Sequence, residues 1–543
     1  MIESASMNIP LIKHSDSFST TSQICLEDLD EIAAAGYKSV ICNRPDNEDG
    51  GRHVSSRELA AACASRDLAF SYLPADATHV GKEHGAALRA LLAEMPGPTL
   101  AFCRTGNRST NIFRLANITA ASSDSFRAEQ SNDKPQQFEV VIVGGGSAGI
   151  AVAASLLRRA PNVQIAIIEP CSHHYYQPAW TLVGAGAFRQ AKTVRPMASL
   201  MPAGVQWLRN AVSAFLPDHN RLQLDDGRLI AYRQLIVCTG LRLAWEKIEG
   251  LEETLGKNGV TSNYRYDLAP YTWQLVSQLK RGTALFSQPA MPIKCAGAPQ
   301  KAMYLSCDHW LRKGVSRQIE VEFNSAGKTL FGVTAFVPSL MRYVEKYGAR
   351  LAFESNLVKV DGERKLAWFE VTDANGNLSR ERKSFDMLHA VPPQVPPDAV
   401  RNSPLANAEG WCEVDPASLR HVRYRNVFAL GDICSTANAK TVAAIRKQAV
   451  VVADNLLAAC DGLPLSARYD GYGACPLTVE RGKVILAEFG YGGKLLPTFR
   501  LDPTVARRSH WFLKTSILPW VYWKLMLKGR EWLTKSSEPA QKP

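Results

Sequence analysis

Residues 138 to 169 constrain the fold more than any other stretch of the chain. Phe138-Glu139-Val140-Val141-Ile142-Val143 is an apolar run of the kind that forms a buried parallel strand. Gly144-Gly145-Gly146-Ser147-Ala148-Gly149 follows it, satisfies G-x-G-x-x-G, and opens a helical run over Ile150 to Arg159. A second strand, Gln164 to Ile168, ends in Glu169, twenty positions after Gly149. Each part has a physical task. Gly144 allows the tight turn, Gly146 lets the backbone approach a pyrophosphate, and Gly149 permits close helix–strand packing. The helix N-terminus at Ser147 and Ala148 supplies unpaired N–H groups for phosphate, and Glu169 can hold a ribose hydroxyl. The bare glycine pattern is weak, but the complete strand–turn–helix–strand unit with its acidic residue is a strong dinucleotide signal.

Two later segments extend this unit. Leu235-Ile236-Val237-Cys238-Thr239-Gly240 resembles the strand-then-Thr-Gly element of flavoproteins with two dinucleotide-binding domains. Asn426-Val427-Phe428-Ala429-Leu430-Gly431-Asp432 resembles their closing motif, and the resemblance implies that Asp432 bonds the ribityl chain of FAD. A second glycine-rich loop for NAD(P)H is expected in such proteins. Here the strand Thr283 to Ser287 runs instead into Gln288-Pro289-Ala290-Met291-Pro292, and Cys295 follows. Prolines stand where a phosphate cradle would be, so electrons are expected to be exchanged with something other than a nicotinamide.

The cysteines and their surroundings make the resemblance specific. His174-Tyr175-Tyr176-Gln177-Pro178-Ala179-Trp180, Lys294-Cys295-Ala296-Gly297-Ala298-Pro299-Gln300-Lys301, Met387-Leu388-His389-Ala390-Val391-Pro392-Pro393, Lys440-Thr441 and Tyr469-Asp470-Gly471-Tyr472 with Cys475-Pro476 together resemble sulfide:quinone oxidoreductases. The likeness runs from about Phe138 to about Leu533. It implies an FAD enzyme that oxidises sulfide to sulfane sulfur, held as a persulfide, and reduces a membrane quinone. Cys295 would face the flavin as a thiolate and Cys475 would receive the sulfur. Gln177, Thr239, Gly240, Gly431, Lys440 and Thr441 would join the cofactor site. The chemistry is coherent, because hydrosulfide can open a disulfide and exchange favours a low-pKa leaving thiolate, which Lys294 and Lys301 would stabilise. Cys434 sits two residues past Asp432, where family members place a cysteine or threonine directly after the aspartate. It is read as incidental, and Cys238, Cys307, Cys412 and Cys460 as packed thiols.

Composition narrows the surroundings. A net charge of +12 without a zinc-finger spacing or a dense basic run leaves nucleic acid the weakest of the anionic partners. Twelve cysteines without a C-x-x-C pair do not support a structural metal site. The N-terminus lacks a secretory pattern, and no apolar run reaches about 18 residues, so a spanning helix is not expected. Trp511 to Trp532 interleaves aromatic and aliphatic residues with Lys514, Lys524, Lys528 and Arg530. Such a tail either packs on its own domain or lies in a membrane surface. The aromatic content, the flanking lysines and the resemblance favour the membrane, giving a peripheral protein on its cytoplasmic side.

Upstream, Thr99 to Phe102 reads as a strand, followed by Cys103-Arg104-Thr105-Gly106-Asn107-Arg108-Ser109 and a helix-like run. A cysteine in a loop at a helix N-terminus has its thiolate favoured by the helix dipole and backbone N–H groups. Arg104 and Arg108 would bind an anion beside it. The loop resembles the C-x-x-G-x-R of rhodanese-type sulfurtransferases, through Cys103, Gly106 and Arg108. Tyrosine phosphatases place the arginine one position later, where Ser109 stands. Yet Gly36 to Asp46 resembles the phosphatase-like domain fused to β-lactamase-like sulfur dioxygenases, and Asp76 sits where a phosphatase places its general acid. Three readings follow for this domain: sulfur transfer, phosphate-ester hydrolysis, or docking without catalysis. In the first, the acceptor is Cys103, a small thiol or sulfite.

The expected architecture is α/β. Residues 1–116 form a small phosphatase- or rhodanese-like domain with helices near 26–35, 56–65 and 83–92, and residues 117–137 a polar linker. Residues 138–505 form a tandem Rossmann-like FAD flavoprotein of the disulfide-oxidoreductase type, and 506–543 an amphipathic helical tail. The alternative is a phosphatase fused to an FAD/NAD(P)-dependent oxidoreductase.

Overall fold

The computed structural model describes residues 11–15, 17–46, 48, 53–75, 80–104, 106, 108–113, 115–116, 135–531 and 533–534. Residues 117–134 of the expected linker, Asp76, Thr105, Asn107 and Trp532 lie outside the described residues. The chain divides into two units, Met1–Lys134 and Pro135–Pro543.

The first unit is a five-stranded sheet in the order Leu11–Lys13, Phe18–Thr21, Thr99–Phe102, Ser39–Cys42, Ala69–Tyr72. The four strands from Phe18–Thr21 onward pair in parallel. Helices Asp28–Ala34, Ser56–Ala64 and Lys82–Glu94 flank it. Ser55 caps the second through a reciprocal bond with Glu58, the N-terminal signature that its sequence carries. Central strands buried on both faces read as short apolar runs, and Ser39–Cys42 and Thr99–Phe102 are buried at every position.

The second unit holds two dinucleotide-type sheets. The first has the order Val205–Leu208, Ile165–Ile168, Gln136–Val143, Leu229–Val237, Arg221–Leu224, Val212–Leu216, with Val427–Ala429 also paired to Leu229–Val237. The fingerprint strand begins at Gln136, two residues before the apolar run, because exposed Gln136 and Gln137 extend the ladder with Ile230 and Ala231. Its helix spans Ser147–Arg159. The pairing of Leu235, Ile236 and Val237 with Val427, Phe428 and Ala429 brings the two later motifs side by side. A second, all-parallel sheet runs Val260–Thr261, Met387–His389, Gly282–Gln288, Ile319–Ser325, Arg350–Phe353. Its central strand Gly282–Gln288 leads to the Cys295 turn and the helix Ala298–Arg312. A thiol turn therefore stands where a nucleotide fold would place its phosphate loop.

The tail differs from a single amphipathic helix. Arg508–Phe512 is α-helical, Leu513–Ile517 is a π-turn, Leu518–Lys524 is helical again and Met526–Lys528 is a 3₁₀ turn. Pro519 at the start of the second helix has no N–H to continue the i→i−4 ladder, which accounts for the break. Tyr522, Trp523, Met526 and Leu527 are buried in the core of the first dinucleotide domain, so packing on the domain claims one face. Phe512 and Trp520 remain 60% and 55% exposed on the other. Among the described residues no helix is long and apolar enough to cross a membrane.

Candidate active site

Glycine geometry shapes the fingerprint turn. Gly144 has φ +106°, and a Cβ there would lie 2.4 Å from Cys238 O. A Cβ on Gly149 would lie 1.9 Å from Gly144 O, which is how closely helix and strand approach. At Gly146 a Cβ would meet nothing within 4 Å. The helix start thus faces open space inside a cleft lined also by Thr239, Gly240, Asp432 and Lys440. Thr239 Oγ1 is buried without a hydrogen-bond partner, and Gly240, at φ +69°, also borders open space. An open cradle at a helix N-terminus, an orphaned hydroxyl and a half-buried carboxylate fit a dinucleotide.

The remaining residues expected at the cofactor lie around this cleft, several already engaged. Glu169 accepts from Gly145 N and Cys171 N, both at 2.8 Å. Lys440 Nζ donates to Asp432 O at 2.7 Å and Cys434 O at 2.9 Å, so its ammonium braces the Gly431-Asp432 turn. Thr441 caps the helix Val442–Cys460, and Gly431 N donates to Gln448 Oε1. Burial raises the Asp432 pKa against the pull of Lys440 and Lys294. Gln177 Oε1 accepts from Lys294 Nζ, whose pKa burial lowers to about 8. Ala148 is buried in the cleft wall, and Ser147 Oγ is bonded to Tyr522 of the tail.

Across the cleft, Cys295 Sγ and Cys475 Sγ are 3.8 Å apart although 180 residues separate them in sequence. Cys295 sits at φ +50°, an uncommon conformation for a residue with a Cβ, held by Cys295 N→Lys440 O and Ala298 N→Cys295 O. Cys475 projects from the strand Gly473–Glu480 onto Gly297, where a Cβ would stand 2.6 Å from its sulfur. Lys301 Nζ donates to Cys295 Sγ at 3.0 Å and reaches Cys475 Sγ at 3.7 Å. The hydrogen bond from Cys475 holds the Cys295 thiol well below its ordinary pKa, and the charge of Lys301 opposes the cost of burial. The same bond, with burial, pushes Cys475 up. Of the two sulfurs, Cys295 is the one whose ionisation the site favours. Burial lowers the Lys301 pKa, but the thiolate overcomes it and the net shift is upward.

Sequence reasoning missed Lys514. It is buried near both sulfurs, donates to Pro476 O at 3.3 Å, and has its pKa lowered to about 7 by burial and Lys301. No local pattern marks it, since a lysine in an aromatic tail reads as a flanking charge. Cys238, Cys307, Cys412 and Cys434 are buried, with pKa values raised by burial, as packed thiols should be.

Replacing Lys301 with methionine is expected to slow flavin reduction by sulfide by about 10- to 100-fold at neutral pH, the value of a lost charge-assisted hydrogen bond. Removing the cation raises the Cys295 pKa. The rise of rate with pH should therefore lie at higher pH in the variant than in wild type. Stopped-flow pH profiles of the two proteins check this, and parallel profiles would contradict it.

In the first unit, Cys103 is buried at the end of Thr99–Phe102, and helical residues begin at Arg108. Arg108 does not stand open to an anion. It donates to both oxygens of Glu48, at 2.9 and 2.8 Å, and to Ala75 O at 2.8 Å. Glu48 also accepts from Arg44 Nε at 2.8 Å. The sequence pattern gave no sign of this ion triad, because Glu48 lies sixty residues before Arg108.

Known proteins match both halves. Residues 11–120 match the family described as the phosphatase-like domain of β-lactamase hydrolase-like proteins, and residues 138–276 match the pyridine nucleotide-disulphide oxidoreductase family. The mitochondrial sulfide:quinone oxidoreductase of Dictyostelium discoideum is 40% identical over 428 residues, 78% of this chain and 93% of that protein. The mouse enzyme of the same name is 38% identical, covering 72% of this chain and 87% of its own length. The solved sulfide:quinone oxidoreductase of Aquifex aeolicus superposes with a TM-score of 0.60 at 19% identity, covering 73% of this chain and 92% of that one, a likeness of fold. The chain therefore belongs to the sulfide:quinone oxidoreductase family of FAD flavoproteins.

Proposed function

We propose that the Cys295–Cys475 pair takes electrons from sulfide for transfer to a membrane quinone, and that the sulfur leaves through an acceptor that includes the chain's own Cys103. The observation that carries the first part is the juxtaposition of the two sulfurs at 3.8 Å with Lys301 Nζ donating to Cys295 Sγ at 3.0 Å. Starting from the disulfide, hydrosulfide attacks Cys475 Sγ, the S–S bond breaks, and Cys295 leaves as the thiolate that Lys301 stabilises. Cys475 then carries a persulfide. An acceptor thiolate or sulfite takes its outer sulfur and leaves Cys475 as thiolate. Closing the disulfide from the two thiolates releases one electron pair. The turn Gly144–Gly149, Glu169, Thr239, Gly240 and the Gly431-Asp432 turn would hold FAD, which when bound would supply the two-electron acceptor. Steady-state quinone reduction dependent on sulfide tests this reading.

The tail is read as a peripheral membrane contact on the cytoplasmic face. Phe512 and Trp520 are exposed on the tail, which also carries the exposed cations Lys524 and Lys528, the residue types that a membrane surface takes.

For the first unit, the Glu48 triad favours sulfur transfer over phosphate-ester hydrolysis. A carboxylate that already neutralises part of the charge of Arg44 and Arg108 repels a dianionic phosphate more than a persulfide. Mass spectrometry after sulfide turnover should find one added sulfur on Cys103, absent in Cys475→Ser. An unmodified Cys103 in a chain that hydrolyses phosphate esters would establish the phosphatase reading instead.

A further inference from the structure

The tail reaches the cofactor cradle through a residue with no role in the sulfur chemistry. Tyr522 Oη is 2.6 Å from Ser147 Oγ and 2.6 Å from His174 Nε2. His174 Nδ1 is 3.3 Å from Gly145 O. Tyr522 and His174 are both buried. Gly145 and Ser147 bracket Gly146, the residue that faces the open cradle. Two residues of the turn, Ser147 through its hydroxyl and Gly145 through its carbonyl by way of His174, are therefore tied to one side chain far downstream, Tyr522.

The protons can be placed. Burial lowers the His174 pKa to about 4, so the ring is neutral and carries one N–H. Gly145 O can only accept, so that proton is on Nδ1. Nε2 then accepts from the Tyr522 hydroxyl, and Tyr522 Oη accepts from Ser147. The chain runs in one direction, Ser147 O–H to Tyr522 O–H to His174 to Gly145 O, and each donor in it is used once.

The same segment is fastened along the whole fingerprint helix. Tyr176 and Tyr522 lie 4.7 Å apart between ring centroids, and the Arg195 guanidinium sits 4.3 Å over the Trp523 ring. Gly529 packs against Ala154, where a Cβ would meet Ala154 O at 2.5 Å. Glu531 pairs with Arg159 and accepts from Ser155 at 2.7 Å. The exposed Phe512 and Trp520 belong to the same segment while it is docked this way.

We propose that Tyr522 is a positioning residue for the pyrophosphate-binding turn, so that docking of the C-terminal segment and retention of FAD are one linked equilibrium. Without the bond chain the turn spends less time in the competent geometry, and apparent FAD affinity falls by that fraction. Linkage makes the effect reciprocal: bound FAD must hold the segment down. Nothing in this depends on the sulfide reaction.

The test compares wild type with Tyr522→Phe, which keeps the ring packing on Tyr176 and Trp523 and removes only the hydroxyl. FAD binding to protein stripped of flavin should weaken about tenfold, the cost of leaving buried polar partners unsatisfied. ADP, which lacks the flavin and so reports the pyrophosphate end alone, should weaken by the same factor. Trypsin cleavage at Lys524 and Lys528 should be slowed by saturating FAD in wild type and slowed much less in the variant. A role limited to general stability would lower the melting temperature and leave both dissociation constants unchanged. Unchanged FAD and ADP affinities, or cleavage indifferent to FAD in wild type, would overturn the proposal. Should Tyr522→Phe fold poorly, His174→Leu, which has neither donor nor acceptor, breaks the same chain one bond further from the tail. It is expected to weaken ADP and FAD alike, and unaltered ADP affinity there would also overturn it.

Discussion

Cys475→Ser protein is expected to bind FAD normally and to lose rapid flavin reduction by sulfide by roughly 10³-fold or more, the scale of removing a covalent catalyst. Cys295→Ser should do the same for a different reason. In the first variant no sulfur remains to be attacked at that position. In the second, the attacked bond and its thiolate leaving group are both gone. Neither cysteine belongs to the fingerprint turn: Cys295 precedes the helix Ala298–Arg312 and Cys475 lies on the strand Gly473–Glu480. FAD content, read from the visible spectrum, should therefore stay at wild-type level while the rate collapses. Retained fast reduction in either variant would remove the pair from the chemistry.

Two glycine substitutions should separate folding from cofactor binding. In Gly149→Ala the new Cβ would fall 1.9 Å from Gly144 O, so the helix must move off its strand. Overpacking of this kind costs about 1–3 kcal/mol, and the displaced helix N-terminus should lose FAD as well. In Gly146→Ala the Cβ meets nothing within 4 Å, and its φ of −71° suits alanine. That protein should melt at the wild-type temperature when stripped of flavin, yet bind FAD at least tenfold more weakly, because the methyl group stands in the cradle. Thermal unfolding with and without FAD reads both effects. Undiminished FAD binding by Gly146→Ala would mean that Gly146 does not face the cofactor.

Much of this was legible in the chain itself. The fingerprint unit, Val427–Ala429 and the thiol turn are local patterns in which residue type and spacing dictate geometry over a few positions. Lys301 was legible because it stands six residues after Cys295, less than two helical turns away. What escaped was non-local. Lys514 reaches the thiols and Tyr522 the fingerprint turn only because the tail folds back across the first dinucleotide domain, and an aromatic, basic segment does not announce which face will be buried. His174 stood within a recognised stretch, but its partner lay 348 residues away. Glu48 escaped for the same reason: a lone glutamate after a strand carries no sign that two arginines will close on it. The tail's broken helix was marked by Pro519 but masked by an otherwise helical composition.

The most direct measurement is the flavin spectrum of the purified holoprotein under anaerobic conditions. On addition of sulfide together with sulfite, which takes the outer sulfur from Cys475, the oxidised flavin absorbance should bleach rapidly, and a quinone should restore it. NADH and NADPH should leave it unchanged, since the strand Gly282–Gln288 ends in a thiol turn and not in a phosphate loop. Bleaching by NADH with indifference to sulfide would contradict the account.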